Sequence, residues 1–121
     1  MKRFILTILL AAVAATAGTA EKPKLPRLLE LGSDKCIPCK AMAPILKELK
    51  KNCAGRLEVE LIDVWKNKAA AEKYGVKIIP TQVFFDATGK ERFRHEGFFG
   101  KDDILAKWKE LGVELSSRVT P

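Results

Sequence analysis

The chain has 121 residues, 47% of them hydrophobic, and 22 Lys and Arg against 15 Asp and Glu leave a net charge of +7. Three cysteines are too few, and odd in number, for a disulfide scaffold. The excess lysines are spread along the chain without interleaved aromatic residues, which argues against a single-strand nucleic-acid binder and for solvated helix faces.

Lys2 and Arg3 open the sequence, an apolar run follows from Phe4 to Ala17, and the small residues Gly18, Thr19 and Ala20 close it. That order is the order of a secretory signal peptide. The run is shorter than the roughly 20 residues of a membrane-spanning helix, so cleavage after Ala17 or Ala20 is expected rather than an uncleaved anchor. Residues 1–20 therefore read as a leader and residues 21–26, with two prolines and two lysines, as a linker. Residues 27–112 form one domain, and 113–121 a C-terminal tail. Export implies a compartment in which disulfides form and persist.

Arg27 to Leu31 is a short apolar run with one acid, Glu30, and reads as a buried strand broken by Gly32-Ser33-Asp34. From Ile37, the residues Ala41, Met42, Ile45, Leu46, Leu49 and Cys53 recur at three- and four-residue steps, the spacing of an amphipathic helix. Pro44 lies inside that helix and is expected to bend it. Leu57, Val59 and Leu61 alternate with Glu58 and Glu60 as in a strand. Lys66 to Tyr74 predicts a short helix stopped by Gly75. Thr81 to Phe85 and Lys90 to Glu96 predict two strands joined by the turn Asp86-Ala87-Thr88-Gly89. A last helix over about Lys101 to Leu111 carries Asp102 and Asp103 in its first turn, where the helix dipole favours acids. Its apolar stripe is Ile104, Leu105, Trp108 and Leu111. The order β-α-β-α-β-β-α predicts an α/β domain with a central mixed sheet flanked by helices.

Cys36-Ile37-Pro38-Cys39 falls between the broken end of the first strand and the start of the long helix. Unpaired N–H groups and the helix dipole favour a thiolate there, and Lys35 and Lys40 are close enough in sequence to add to that field. Pro38 suits the first helical turn and stiffens the loop between the sulfurs. Cys36 would be the exposed nucleophile and Cys39, one turn deeper, would resolve a mixed disulfide. Half a zinc site or an inert bridge uses the same spacing, although only Cys53 and His95 remain as further ligands. Two thiolates also suit a thiophilic ion such as copper(I), so a metal-handling module is the alternative function. Cys53 reads as a buried small hydrophobe, His95 as a surface or satisfied residue, and Trp65 and Trp108 as packing residues. Phe98 and Phe99 are assigned either to a substrate groove or to the core.

Cys36-Ile37-Pro38-Cys39-Lys40 followed by Met42-Ala43-Pro44, then Tyr74-Gly75-Val76, Ile78-Ile79-Pro80-Thr81, Gly89 and Gly97, resembles the thioredoxin family over roughly Arg27 to Gly112. The resemblance implies a thioredoxin-like fold and a protein disulfide oxidoreductase that needs no bound cofactor. It implies a cis peptide between Ile79 and Pro80 beside the cysteines, and an extended substrate segment contacting Ile37, Pro38, Ile79, Pro80 and Gly97. It also places Glu30 where the family carries a buried acid, able to take the Cys39 proton during resolution. Two departures stand out: Lys35 replaces the usual tryptophan before the first cysteine, and Gly32 stands where another aromatic is common. The Ile-Pro dipeptide is similar to the Val-Pro and Glu-Pro pairs of exported, reducing relatives in cytochrome c maturation, and less to the Pro-His pair of oxidising periplasmic enzymes. The expected partners are protein disulfide or dithiol substrates and a membrane or soluble redox partner, met by a periplasmic monomer with no nucleic acid.

Overall fold

The computed structural model describes residue 18 and residues 24–115. The predicted leader, apart from Gly18, lies outside the described residues, as do the start of the linker and residues 116–121. Seven elements follow in the expected order: β1 (Arg27–Gly32), α1 (Ile37–Asn52), β2 (Glu58–Asp63), α2 (Lys68–Lys73), β3 (Thr81–Phe85), β4 (Glu91–Glu96) and α3 (Lys101–Glu110). The strands form one sheet in the order β2-β1-β3-β4. β1 pairs parallel to β2 and antiparallel to β3, and β3 pairs antiparallel to β4. The sheet is mixed for a local reason. A helix returns the chain between β1 and β2, whereas a tight Asp86–Gly89 turn joins β3 to β4.

Alternation along β1 and β3 divides the core between the two faces of the sheet. Leu28 and Phe84 face α1 and α3, where they meet Met42, Leu46, Leu49, Ile104 and Trp108. Leu29, Leu31, Val83 and Phe85 face the other way, against Val64, Ala71 and Tyr74. Covered on both faces, β1 and β3 read as near-continuous apolar runs. Each fully buried leucine there contributes about 2 kcal/mol of transfer free energy.

This packing corrects the reading of Trp65 and decides three further positions. Ile37 heads the apolar stripe of α1 in sequence but is 81% exposed in the first turn of that helix. Leu61 shares the alternation of Val59 yet is 53% exposed, since β2 is an edge strand with β1 as its one neighbour among the described strands. Trp65 is exposed rather than packed. The packed chain also continues past Gly112. Gly112 takes φ +87, the Val113 N–H donates to the Trp108 carbonyl at 2.8 Å, and the turned chain buries Leu115 against the α3 side of the core.

Candidate redox site

All four strands bring loops to one end of the sheet. β1 and β2 run parallel and finish there, β3 starts there, and β4 returns there. The loops after β1, β2 and β4 and the one before β3 therefore surround Cys36. This follows from topology: Gly32 pairs with Asp63, and Thr81 pairs with both Leu31 and Glu96.

Cys36 is the N-cap residue of α1, with extended backbone (φ −93, ψ 123). Its carbonyl accepts the Lys40 N–H at 3.0 Å, and its own N–H donates to the Ser33 carbonyl at 3.3 Å. The thiol is half-buried at a helix end whose first turn holds Pro38 and no acidic residue, so the dipole there is not offset locally. Asp63 secures the loop that delivers it. One carboxylate oxygen accepts the Trp65 and Lys66 N–H groups and the other accepts the Asp34 N–H, while Lys66 reaches back to Asp34 at 2.9 Å.

Cys39 lies one turn further and is buried. Burial pushes its thiol well above the ordinary range, and a hydrogen bond with the Cys36 thiol acts in the same direction; a Ser33 backbone contact opposes them. The charges of Cys36 and Glu30 raise it further. The two thiols are thus close and chemically unequal.

Glu30 sits at the floor of the site, 1% exposed, with no hydrogen-bond partner for either carboxylate oxygen among the described residues. Desolvation raises its pKa to about 8, and the neighbouring Gln82 side chain lowers it only in part. Gly32 separates the acid from the sulfur. A Cβ placed there would stand 3.1 Å from Cys39 Sγ and 3.7 Å from Glu30 Oε1. Beside them a cavity of about 380 Å³ opens, lined by Glu30, Gly32, Cys39, Ala43, Leu61 and Lys66 among others.

The Ile79–Pro80 bond is cis. Pro80 is buried, and its carbonyl accepts the Gly97 N–H at 2.7 Å, with Gly97 at φ +94. The sequence-predicted site residues Cys36, Cys39, Glu30, Ile37, Pro38, Ile79, Pro80 and Gly97 therefore gather at this one end of the sheet. Phe98 is exposed there, whereas Phe99 packs on the core. Cys53 is buried at the far end of α1, and Trp108 lies at the centre of the core. Sequence reasoning missed Gln82, the cavity beside Gly32 and the exposure of Leu61. The signal for Gln82 was present: it is the only amide in the run Thr81-Gln82-Val83-Phe84-Phe85.

Among the described residues no group of three or more His, Cys, Asp and Glu side chains is placed to hold a metal ion. The arrangement can pass a proton between a buried carboxyl and a buried thiol, beside a second thiol open to a substrate.

The thioredoxin family model matches residues 15–110. A thioredoxin of Rickettsia bellii is 27% identical over 84 residues, which cover 69% of this chain and 79% of that protein. A thiol:disulfide interchange protein TxlA homolog of Synechocystis is 44% identical over 66 residues, 53% of this chain and 37% of that longer protein. A solved structure of chloroplastic thioredoxin z shares the fold, with a TM-score of 0.67 at 24% identity over 74% of this chain and 80% of that one. With its family model, its mixed four-stranded sheet and its close cysteine pair in agreement, the chain belongs to the thioredoxin family of thiol–disulfide oxidoreductases.

Proposed function

We propose that this chain reduces disulfides of exported proteins in the periplasm through Cys36 and Cys39, and is itself re-reduced by a membrane or soluble dithiol partner. The observation that carries the reading is the inequality of the two sulfurs: Cys36 half-exposed at a helix N-terminus, Cys39 buried against Glu30. The Cys36 thiolate attacks one sulfur of the substrate disulfide, the substrate S–S bond breaks, and the released sulfur leaves as a thiolate that takes a proton. Glu30, as carboxylate, then accepts the Cys39 proton. The Cys39 thiolate attacks Cys36, and the second substrate sulfur leaves. The substrate gains two electrons and two protons, and the chain ends with a Cys36–Cys39 disulfide.

Three features support the finer points. Four of the exposed large hydrophobic residues surround Cys36, Ile37 at the start of α1 and Trp65, Ile78 and Phe98 on the neighbouring loops, a collar suited to an extended polypeptide rather than a small polar thiol. Ile37, Pro38, Ile79, Pro80 and Gly97 would form its inner edge. The Ile-Pro dipeptide between the cysteines is similar to the Val-Pro and Glu-Pro pairs of exported reducing relatives rather than to the Pro-His pair of oxidising enzymes. The leader-like sequence of residues 1–20 supports export.

The test is the reduction potential of the pair together with insulin reduction in dithiothreitol. A potential near about −270 mV supports a reductant, and one near about −120 mV would overturn the direction. A Cys39→Ser variant should trap mixed disulfides through Cys36 in a periplasmic extract. Stoichiometric copper(I) binding with negligible exchange would favour metal handling instead.

A further inference from the structure

One register row crosses the whole sheet on the face covered by α1: Leu61 on β2, Glu30 on β1, Gln82 on β3 and His95 on β4. On one side of Glu30 lies the cavity lined by Leu61. On the other side lies Gln82, fully buried, whose carbonyl oxygen is 2.9 Å from His95 Nδ1. That oxygen only accepts, so the network places the ring proton on Nδ1. The remaining end of the amide, Nε2, has no hydrogen-bond partner among the described residues, and neither has the carboxyl of Glu30 opposite it. The imidazole is held in its turn. It stacks on Phe99 at 4.1 Å and 11°, and the Phe99 N–H contacts Met42 Sδ of α1 at 3.3 Å.

We infer that His95 is a positioning residue for the redox site, holding the Gln82 amide with its N–H end toward Glu30. A glutamine side chain offers one donor end and one acceptor end. While His95 occupies the acceptor end, Glu30 meets a donor, which favours its carboxylate against the cost of burial. With the imidazole removed the amide is free to turn, and a carbonyl oxygen facing Glu30 tolerates only the protonated acid. An edge-strand residue thus adjusts how readily the acid beneath Cys39 gives up its proton. The proposal rests on the reading of Glu30 as the group that takes the Cys39 proton. The other ionisable groups near Glu30 are Cys36, Cys39 and Lys40 at the start of α1, with Asp34, Asp63 and Lys66 around the cavity, and that cavity includes neither Gln82 nor His95. Arg94 and Glu96 flank His95 in β4, and alternation turns both to the opposite face.

The test is a carboxyl-carbon NMR titration of Glu30 in the reduced protein. His95→Phe keeps an aromatic ring on Phe99 but has no donor, so it should fold and raise the Glu30 midpoint by about half a unit to one unit, three- to tenfold in proton affinity. His95→Gln restores a donor and should bring the midpoint back toward wild type. Gln82→Leu should raise it at least as far, and adding His95→Phe to Gln82→Leu should change nothing more. A His95→Phe midpoint equal to wild type, or one unrescued by His95→Gln, would overturn the inference, whatever the change in stability. The titration is read independently of turnover. Failure of the wild-type protein to reduce insulin would therefore sink the proposed function without being mistaken for failure of this relay.

Discussion

Glu30 and Cys39 face each other across Gly32, so close that one added carbon at that glycine would touch both the sulfur and the carboxyl. Each group is buried, and the charge of the acid adds to the pressure keeping the thiol protonated. This mutual pressure between a buried acid and a buried thiol has measurable consequences.

Burial of Glu30 should make the reduced protein lose stability as pH rises. Its pKa is about 8 in the folded chain against 4.5 for the free group, so between those values the unfolded chain releases a proton that the folded one retains. The full stability is present below pH 4.5 and declines toward pH 8, by a few kcal/mol at about 1.4 kcal/mol per unit. Urea denaturation of the reduced protein at pH 5 and pH 8 should show that fall, and Glu30→Gln should flatten it. The same variant should slow resolution of the mixed disulfide by about a hundredfold. An unchanged stability profile would mean that Glu30 ionises freely in the fold.

Gly32→Ala should disturb the site locally. The new methyl would lie 3.1 Å from Cys39 Sγ and 3.4 Å from its Cβ, both in the packed first turn of α1. Overpacking of this kind costs about 1–3 kcal/mol. The expected result is a lower urea midpoint with slower resolution. Wild-type resolution in Gly32→Ala would show that Cys39 can move aside freely.

Alkylation should distinguish the three thiols. In the native reduced protein, iodoacetamide should modify Cys36 first, because Cys39 and Cys53 are buried and desolvation raises both thiols. Cys53→Ala should retain full disulfide exchange, whereas Cys53→Ser, which buries a hydroxyl, should cost about 1–3 kcal/mol. Mass spectrometry of the labelled peptides reads the order. Early labelling of Cys53 would contradict its place in the core.

Trp108 supplies bulk rather than a hydrogen bond. It is fully buried, its ring centroid lies 4.9 Å from that of Phe84, and its indole N–H has no partner among the described residues. Trp108→Phe removes an unsatisfied donor together with some volume and should cost under about 1.5 kcal/mol, against about 3–5 kcal/mol for Trp108→Ala. Equal losses in the two variants would show that the N–H is bonded after all.

The sequence by itself determined the order of the elements, the central strand with its acid, the cysteine pair at a helix start and the proline before β3. All of these depend on local periodicity or on residue chemistry within a few positions. What only the tertiary structure decided depends on which strand lies beside which. β2 is an edge strand, so Leu61 is exposed although its alternation matches that of a buried residue. Gly32 reads as a strand breaker, and only the tertiary structure sets it against Cys39 and on the wall of a cavity. His95 and Gln82 are 13 residues apart and carry no shared motif. They meet Glu30 because sheet register, a long-range property, aligns three strands on one row. Side chains that act together across a sheet are separated by whole elements in the chain, and no local pattern records their meeting.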